Sequence, residues 1–343
     1  MPLFTEMRTE LDQKVAFRQR VGAKWLAGAG SGPGHEILPS FHCPDTRDSL
    51  CVQIRSVSWL AMEMTIPLQT EVSIPIGGGL PLTEMEKVLT SGKPKAIRVS
   101  GFKGSFGDKT IIEDVDLDFT EGTITAIVGP SGCGKSTFLR SLNRMNDRIP
   151  GWSCQGSVKF YGQDVYSGQL DLLSLRRRIG MVFQRPNPFP MSIEENVAAG
   201  VKAHRLAPRS QIHRIVQDRL EEVGLFNAVK DRLKDSPFRL SGGQQQLLCL
   251  ARALAVQPDV LLLDEPTSSL DPISTEAVEE LLKEFVPDLS IVVVTHNLAQ
   301  ARRIADRVAF FMDGRLVEVG DTEQIFEDPQ EVETGRYVSG RIG

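Results

Sequence analysis

The stretch from Thr123 to Thr137 constrains this chain more than any other. An apolar run, Thr123–Val128 (TITAIV), passes directly into Gly129-Pro130-Ser131-Gly132-Cys133-Gly134-Lys135-Ser136-Thr137, after which a helical pattern begins. This is the spacing G-x-x-x-x-G-K-[ST] in the context it requires, after a strand and at the start of a helix. Glycines let the backbone wrap phosphate oxygens with no Cβ in the way. Exposed N–H groups and the helix N-terminus favour an anion there. The spacing places Lys135 toward the β- and γ-phosphates of a nucleotide and Ser136 toward a magnesium ion. Cys133 reads first as a small loop residue. A reactive thiol is the other reading, because a helix N-terminus lowers a thiol pKa.

The rest of the chain from residue 95 agrees with such a loop. Short strands are predicted at Ala96–Val99, Ser157–Phe160, Ile179–Phe183, Val260–Leu263, Ile291–Val294 and Val308–Met312. VLLLD and IVVVT are unbroken aliphatic runs, as in parallel strands buried on both faces. Helical patterns separate them at Lys135–Asn146, Gln211–Val223, Gln244–Val256, Thr275–Phe285 and Leu298–Ala305. Alternating buried strands and helices predict an α/β domain with a mostly parallel sheet. Residues 1–94 show no period and hold Gly/Pro-rich clusters at 28–34 and 77–81. They read as a poorly structured extension, with a short helix near 6–26. A start at Met62, Met64 or Met85 is the other reading. Asp and Glu interrupt the opening, which therefore does not read as a signal peptide.

Composition excludes several classes. Lys and Arg total 39 against 44 Asp and Glu, a net charge of −5, which argues against the basic footprint of a nucleic-acid binder. No apolar run approaches the ~18 residues of a membrane span. The five cysteines (43, 51, 133, 154 and 249) form no C-x-x-C pair, so neither a disulfide framework nor a cysteine zinc site is expected. A reducing, cytosolic compartment fits that usage.

Two further patterns belong with the loop. Val260–Leu263 ends in Asp264-Glu265. A buried strand delivers Asp264 to a site edge where it can hold Mg²⁺, and Glu265 then sits where an attacking water loses its proton. An apolar strand ending in two acids means little alone; with the phosphate loop upstream it gains this role. Gln184, after the strand RIGMVF, is placed to meet Mg²⁺ or water. His296 follows IVVVT, 32 residues after Asp264. Leu240-Ser241-Gly242-Gly243-Gln244 opens a helix, with Ser241 as its N-cap, and offers a second, smaller phosphate-facing surface. If both surfaces cannot reach one nucleotide within a chain, two chains must pair about a two-fold axis to complete each site.

With these motifs the sequence resembles the ATP-binding-cassette (ABC) ATPases over residues 95–343. GPSGCGKST matches the Walker A loop, VLLLDE the Walker B strand and LSGGQ the family signature. Gln184 matches the Q-loop, Ser269-Leu270-Asp271 the D-loop and His296 the switch histidine. Phe106 stands where the family places an adenine-stacking aromatic, usually Tyr; Phe keeps the stacking face and loses the hydroxyl. The resemblance implies a P-loop NTPase cassette with a mostly parallel core, an antiparallel β part and a helical signature subdomain at about 185–256. It also implies ATP and Mg²⁺ as ligands.

Within that family the chain looks similar to the ATPase subunits of bacterial Pst-type phosphate importers. The supporting stretches lie outside the catalytic motifs: SLNRMNDRIPG (141–151), RPNPFPMSIEENVAAG (185–200), VKDRLKDSPFRLSGGQQQ (229–246), GDTEQIF (320–326) and GRYVSGRIG (335–343). The resemblance implies a homodimer of ATPase subunits on the cytoplasmic face of the cell membrane. Two transmembrane permease subunits and an extracytoplasmic phosphate-binding protein complete the assembly. Leu247 departs from the Arg or Lys usual after the Gln run, and residues 1–94 have no counterpart. An importer of another solute and a soluble ABC protein acting on DNA or ribosomes are the alternatives. Against the latter, one cassette occurs and only 55 residues (185–239) separate Gln184 from Leu240.

Overall fold

The structure, a computed structural model, describes residues 94–168, 170–286 and 288–342. The expected extension and the helix near 6–26 lie outside the described residues. In chain order come β1 (Lys95–Phe106), β2 (Lys109–Thr120), β3 (Ile124–Val128), α1 (Lys135–Ser141), β4 (Trp152–Phe160), β5 (Gln163–Asp164), α2 (Leu172–Arg178) and β6 (Ile179–Val182). The helical part follows with α3 (Ile193–Ala203), α4 (Ile212–Glu222), α5 (Phe226–Val229) and α6 (Gly242–Ala255). The chain then returns through β7 (Val260–Asp264), α7 (Pro272–Phe285), β8 (Ser290–Val294), α8 (Leu298–Ile304), β9 (Arg307–Met312), β10 (Arg315–Asp321), α9 (Thr322–Glu327) and α10 (Val332–Val338).

Two sheets organise these elements. The first is antiparallel, in the order β2-β1-β4-β5. β1 and β2 alternate buried and exposed residues over much of their length, as strands with one wet face do. The second has the order β10-β9-β3-β8-β7-β6. Its pairs are parallel except the edge pair β9–β10. Every residue of β3, β7 and β8 is buried, which explains why their sequences are continuous aliphatic runs. Helix α1 lies between the sheets. Its Phe138 packs on Phe102 of β1 and Phe119 of β2, and on Phe311 of β9 with 5.0 Å between ring centroids. These aromatics tie the phosphate-loop helix to both sheets, so the loop is held by the core.

Several boundaries differ from the sequence reading. The helix expected at 135–146 ends at Ser141, because Arg144 adopts φ 60°. Buried Asn146 donates from Nδ2 to the Thr137 carbonyl at 2.8 Å and so ties the turn after the helix back onto it. The helix expected at 275–285 begins at Pro272, since Asp271 caps it by accepting from the Ile273 and Ser274 N–H groups. Strands β2, β5 and β10 and helices α2, α3, α5, α9 and α10 add to the elements expected from the sequence. Among the described residues no helix is long and apolar enough to cross a membrane.

Candidate functional site

Parallel strands point their C-terminal ends to one edge, and loops there meet. The phosphate loop leaves β3, Gln184 follows β6, Glu265 follows β7 and His296 follows β8. Four motifs scattered over 168 positions (129 to 296) thus converge on one edge of the second sheet.

The loop itself is tightly built. Gly129 has φ +150°, and a Cβ there would stand 2.0 Å from the Phe311 carbonyl oxygen. Gly134, at φ +101°, is the N-cap of α1 and makes no side-chain cap hydrogen bond. Pro130, Ser131 and Gly132 form the crest; Ser131 and Gly132 are exposed, while Cys133 is buried beneath. Lys135 is buried and donates from Nζ to the Gly129 and Pro130 carbonyls, at 2.7 Å each. Its ammonium also lies 3.7 Å from the Cys133 Sγ. The cation is therefore held over the loop, at its inner side. Thr137 contributes its carbonyl to Ser141 and Asn146.

Next to the loop, Ser136 Oγ donates to Asp264 Oδ1 at 2.7 Å. Asp264 is only 1% exposed, and its other oxygen is paired with Arg140 at 3.0 Å. A buried carboxylate of this kind needs such a partner. A hydroxyl and a carboxylate oxygen side by side at the mouth of a phosphate loop are the hard oxygen donors that Mg²⁺ takes, usually with waters and phosphate oxygens. The residues present fit Mg-ATP.

Glu265 adopts φ 48°, a left-handed conformation rare for a non-glycine residue. Its N–H is fixed by the Val294 carbonyl at 2.9 Å, and the turn aims its side chain along the sheet edge. Gln184 donates from Nε2 to Glu265 Oε2 at 2.7 Å, which leaves the amide oxygen of Gln184 free to face a cation. His296 Nδ1 lies 3.1 Å from Glu265 Oε1. Each carboxylate oxygen thus has its own partner. The His296 side chain is 62% exposed and that of Glu265 is 17% exposed, so the imidazole is the outer member of the group.

The signature is a well-formed helix start. Ser241 Oγ accepts from the Gln244 N–H at 3.3 Å, and Gln244 Oε1 accepts from the Ser241 N–H at 3.2 Å, a reciprocal capping box. Leu240 is buried as the anchor, while Ser241 and Gly242 are exposed. A Cβ on Gly243 would stand 3.0 Å from Leu270 Cδ2 and 3.5 Å from the Ser269 carbonyl. The 269–271 turn therefore packs on the signature of its own chain, and Asp271 serves as the cap of α7. Among the described residues no hydrogen bond or ion pair joins 240–244 to 129–137. Leu247 lines a small apolar niche with Val182, Leu263, Pro266 and Leu270. It ties the signature helix to β6, to β7 and to the 269–271 turn by contact alone.

Phe106 ends β1 opposite Trp152 of β4, with 5.0 Å between the two ring centroids and 53° between their planes. Trp152 carries no motif; only its pairing register reveals it as the support of Phe106. Three other residues escape a sequence reading. Gln246 donates to the Phe183 carbonyl at 2.9 Å, linking the signature helix to the strand end that presents Gln184. Arg252 binds the Asn187 carbonyl and side chain at 3.0 and 2.7 Å and stacks on Phe189. Asn196, fully buried, holds the loop from Phe189 to Ser192 by four hydrogen bonds. None belongs to a motif of recognisable spacing, so no local signal could have found them.

Comparison with known proteins agrees with this geometry. The ABC transporter family matches residues 112–268. The Mycobacterium tuberculosis (strain ATCC 25618 / H37Rv) phosphate import ATP-binding protein PstB 2 is 58% identical over 238 residues, which is 69% of this chain and 86% of that protein. The corresponding PstB of Mycobacterium intracellulare is 60% identical, covering 68% of this chain and 81% of its own length. That of Thermotoga maritima is 51% identical, covering 72% and 98%. Among solved structures, cbiO1 of Clostridium perfringens, part of the ABC transporter complex cbiONQ, superposes with a TM-score of 0.59 at 26% identity. The match covers 73% of this chain and 97% of that one. The chain belongs to the ABC transporter family, within its group of PstB-type ATP-binding proteins.

Proposed function

We propose that this chain is the ATP-hydrolysing subunit of an ABC importer of inorganic phosphate, coupling ATP binding and hydrolysis to inward transport. One observation carries the catalytic part: the Glu265 carboxylate, held between Gln184 and His296, stands one residue from the Ser136–Asp264 pair. Similarity to the phosphate import ATP-binding proteins supports the cargo. The Gly129–Thr137 backbone and Lys135 receive the triphosphate, and Phe106 on Trp152 offers its face to the base. Ser136, Asp264 and Gln184 would hold Mg²⁺, which would supply charge neutralisation for the phosphates. Glu265 takes the proton from the attacking water, and His296 steadies that carboxylate and faces the γ-phosphate side. Most of the rate enhancement comes from positioning and charge stabilisation.

The exposed signature of one subunit, Ser241–Gln244, completes the site on the phosphate loop of another. The separation of the two surfaces within one chain supports that pairing. The assembly is then a homodimer on two transmembrane permease subunits, fed by an extracytoplasmic phosphate-binding protein, with the ATPase peripheral on the cytoplasmic face of the membrane. The exposed Phe189 and Met191, on the loop locked by Asn196 and Arg252, supply an apolar surface for the permease. The test is high-affinity phosphate uptake in phosphate-starved cells carrying either the intact chain or Lys135→Ala. Loss of uptake with the variant is expected. Unchanged phosphate uptake with another solute's uptake lost would reassign the cargo, and no transport defect would overturn the importer reading.

A further inference from the structure

The helical part carries a cavity of about 640 Å³ that shares no residue with the motifs above, lined by Glu194, Lys202, Arg205, Arg209, Ile212 and His213. It lies between the end of α3, the connection 204–211 and the start of α4. The charge there is unusual for this chain. Residues 196–217 contain Lys202, Arg205, Arg209, Arg214, His204 and His213 and no carboxylate, in a protein of net charge −5. Like charges gathered on one wall repel unless a counter-charge joins them. Many arginines elsewhere in the domain are paired with carboxylates, such as Arg239 with Asp235, Arg302 with Glu327 and Arg303 with Glu279. The side chains of Lys202, Arg205 and Arg209 hold no hydrogen bond or ion pair among the described residues.

The nearby carboxylates are already engaged. Glu194 Oε1 lies 3.0 Å from His213 Nδ1. Glu195, which feels the charge of Lys202, is committed to the capping box of α3 with Ser192. With His213 neutral, the wall carries three cations against one carboxylate, a formal balance of +2. Two guanidinium forks and an ammonium are the donors that recognise phosphate oxygens. A cavity this size falls in the range of small-molecule sites, roughly 300–1,000 Å³, so it admits a ligand larger than one ion.

We propose that this cleft binds a ligand bearing several phosphate groups, at a site separate from the nucleotide edge. The inference does not rest on the identity of the transported solute. Its free form would be a soluble polyanion, and its membrane form an anionic lipid headgroup. The test uses the full chain with its nucleotide site saturated by a non-hydrolysable ATP analogue. Tripolyphosphate is titrated calorimetrically into the native protein and into an Arg205→Glu/Arg209→Glu double variant. Vesicles of equal parts phosphatidylglycerol and phosphatidylcholine are the second probe. Both substituted residues are exposed and outside the catalytic group, so basal ATP hydrolysis stays at the native rate and reports that the variant is folded. Losing two charge-assisted hydrogen bonds lowers affinity by roughly 10²–10⁴-fold. Binding should also weaken as salt is raised. Saturable binding of tripolyphosphate that the double variant loses supports a free polyanion. Vesicle binding alone, lost in the variant, keeps the site and names the membrane as its source. Equal binding by native and variant proteins, or no binding of either probe, overturns the proposal.

Discussion

Replacing Asn196 with alanine tests how the loop after Gln184 is held. Asn196 is fully buried in α3. Its Oδ1 accepts from the Phe189 N–H at 2.7 Å, and its Nδ2 donates to the carbonyls of Phe189, Met191 and Ser192 at 3.1, 3.3 and 2.9 Å. Asn196 Oδ1 also accepts from an Arg252 guanidinium N–H at 3.5 Å, a long bond whose donor keeps the Asn187 carbonyl, so not all five losses matter equally. The Phe189 carbonyl keeps the Met191 N–H at 2.7 Å, and the Ser192 carbonyl keeps the Asn196 N–H at 3.0 Å. The Phe189 N–H and the Met191 carbonyl are left without partners among the described residues. An orphaned donor costs about 1–3 kcal/mol and the long bond to Met191 about 1 kcal/mol. The sum is roughly 2–4 kcal/mol. For a domain of this size about 2–4 °C in Tm accompanies each kcal/mol, so a fall of roughly 5–15 °C is expected in a thermal melt. Nucleotide binding should survive, because Asn196 touches no residue of the phosphate loop. A destabilisation below about 0.5 kcal/mol, the level of an ordinary surface change, would refute the reasoning.

Other perturbations separate roles within the site. Glu265→Gln keeps the shape and the Gln184 side of the cluster but removes the proton acceptor. Hydrolysis should fall by about 10²–10⁴ with ATP binding unchanged in an equilibrium titration, and a native turnover rate would reject the assignment. Gly129→Ala places a methyl group against the Phe311 carbonyl and should abolish binding of a fluorescent ATP analogue. Gly132→Ala, where φ is +81° with nothing within 4 Å of the new Cβ, should cost only the roughly 1–2 kcal/mol of a left-handed backbone; equal affinities in the two variants would contradict the steric argument. Glu318 joins β10 to the C-terminal helix, accepting from Gln324 Nε2, the Gln330 N–H and the Glu331 N–H. Burial alone would raise its pKa, but these bonds and the Thr334 hydroxyl outweigh it and hold the carboxyl below its ordinary value. Its stabilisation is therefore present above the unfolded carboxylate pKa, about 4.3, and is lost as pH falls through the lower folded value. Glu318→Gln should destabilise the protein at pH 7 in urea, and the difference from the native chain should vanish in acid; a pH-independent difference would sink this account.

Much of the site is legible in the chain of residues, and the reason is local. Gly129–Thr137, Asp264-Glu265 and Leu240–Gln244 each work through a backbone geometry that few residue types permit, so spacing alone exposes them. The aliphatic runs of β3, β7 and β8 announce themselves because parallel strands are buried on both faces. Strand β2 is harder to see because KTIIEDVDLDFT alternates with charges on its wet face and holds no continuous apolar run; only the Gly107-Asp108 pair before it marks a hairpin turn. Helix α1 is shorter than its pattern suggests because nothing near Arg144 advertises a left-handed backbone.

The chemistry proposed for this chain is suggested by the residues themselves: a phosphate-loop pattern, carboxylates suited to a metal ion and to proton transfer, and a family. The mutual placement of these groups comes from the folded chain. Gln184, Glu265 and His296 follow three strands that lie far apart along the chain, and the register of the parallel sheet brings their side chains within hydrogen-bond reach. The supports Trp152, Asn196, Gln246 and Arg252 act through contacts made across 46 to 65 positions of chain or across a loop whose path no local pattern encodes. Hydrogen bonds and ion pairs depend on distance in space, which sequence separation does not measure. The unpaired cations of the 202–209 segment show the same division. Their charge is plain in the sequence, but that they share one cavity and lack partners is visible only in the fold.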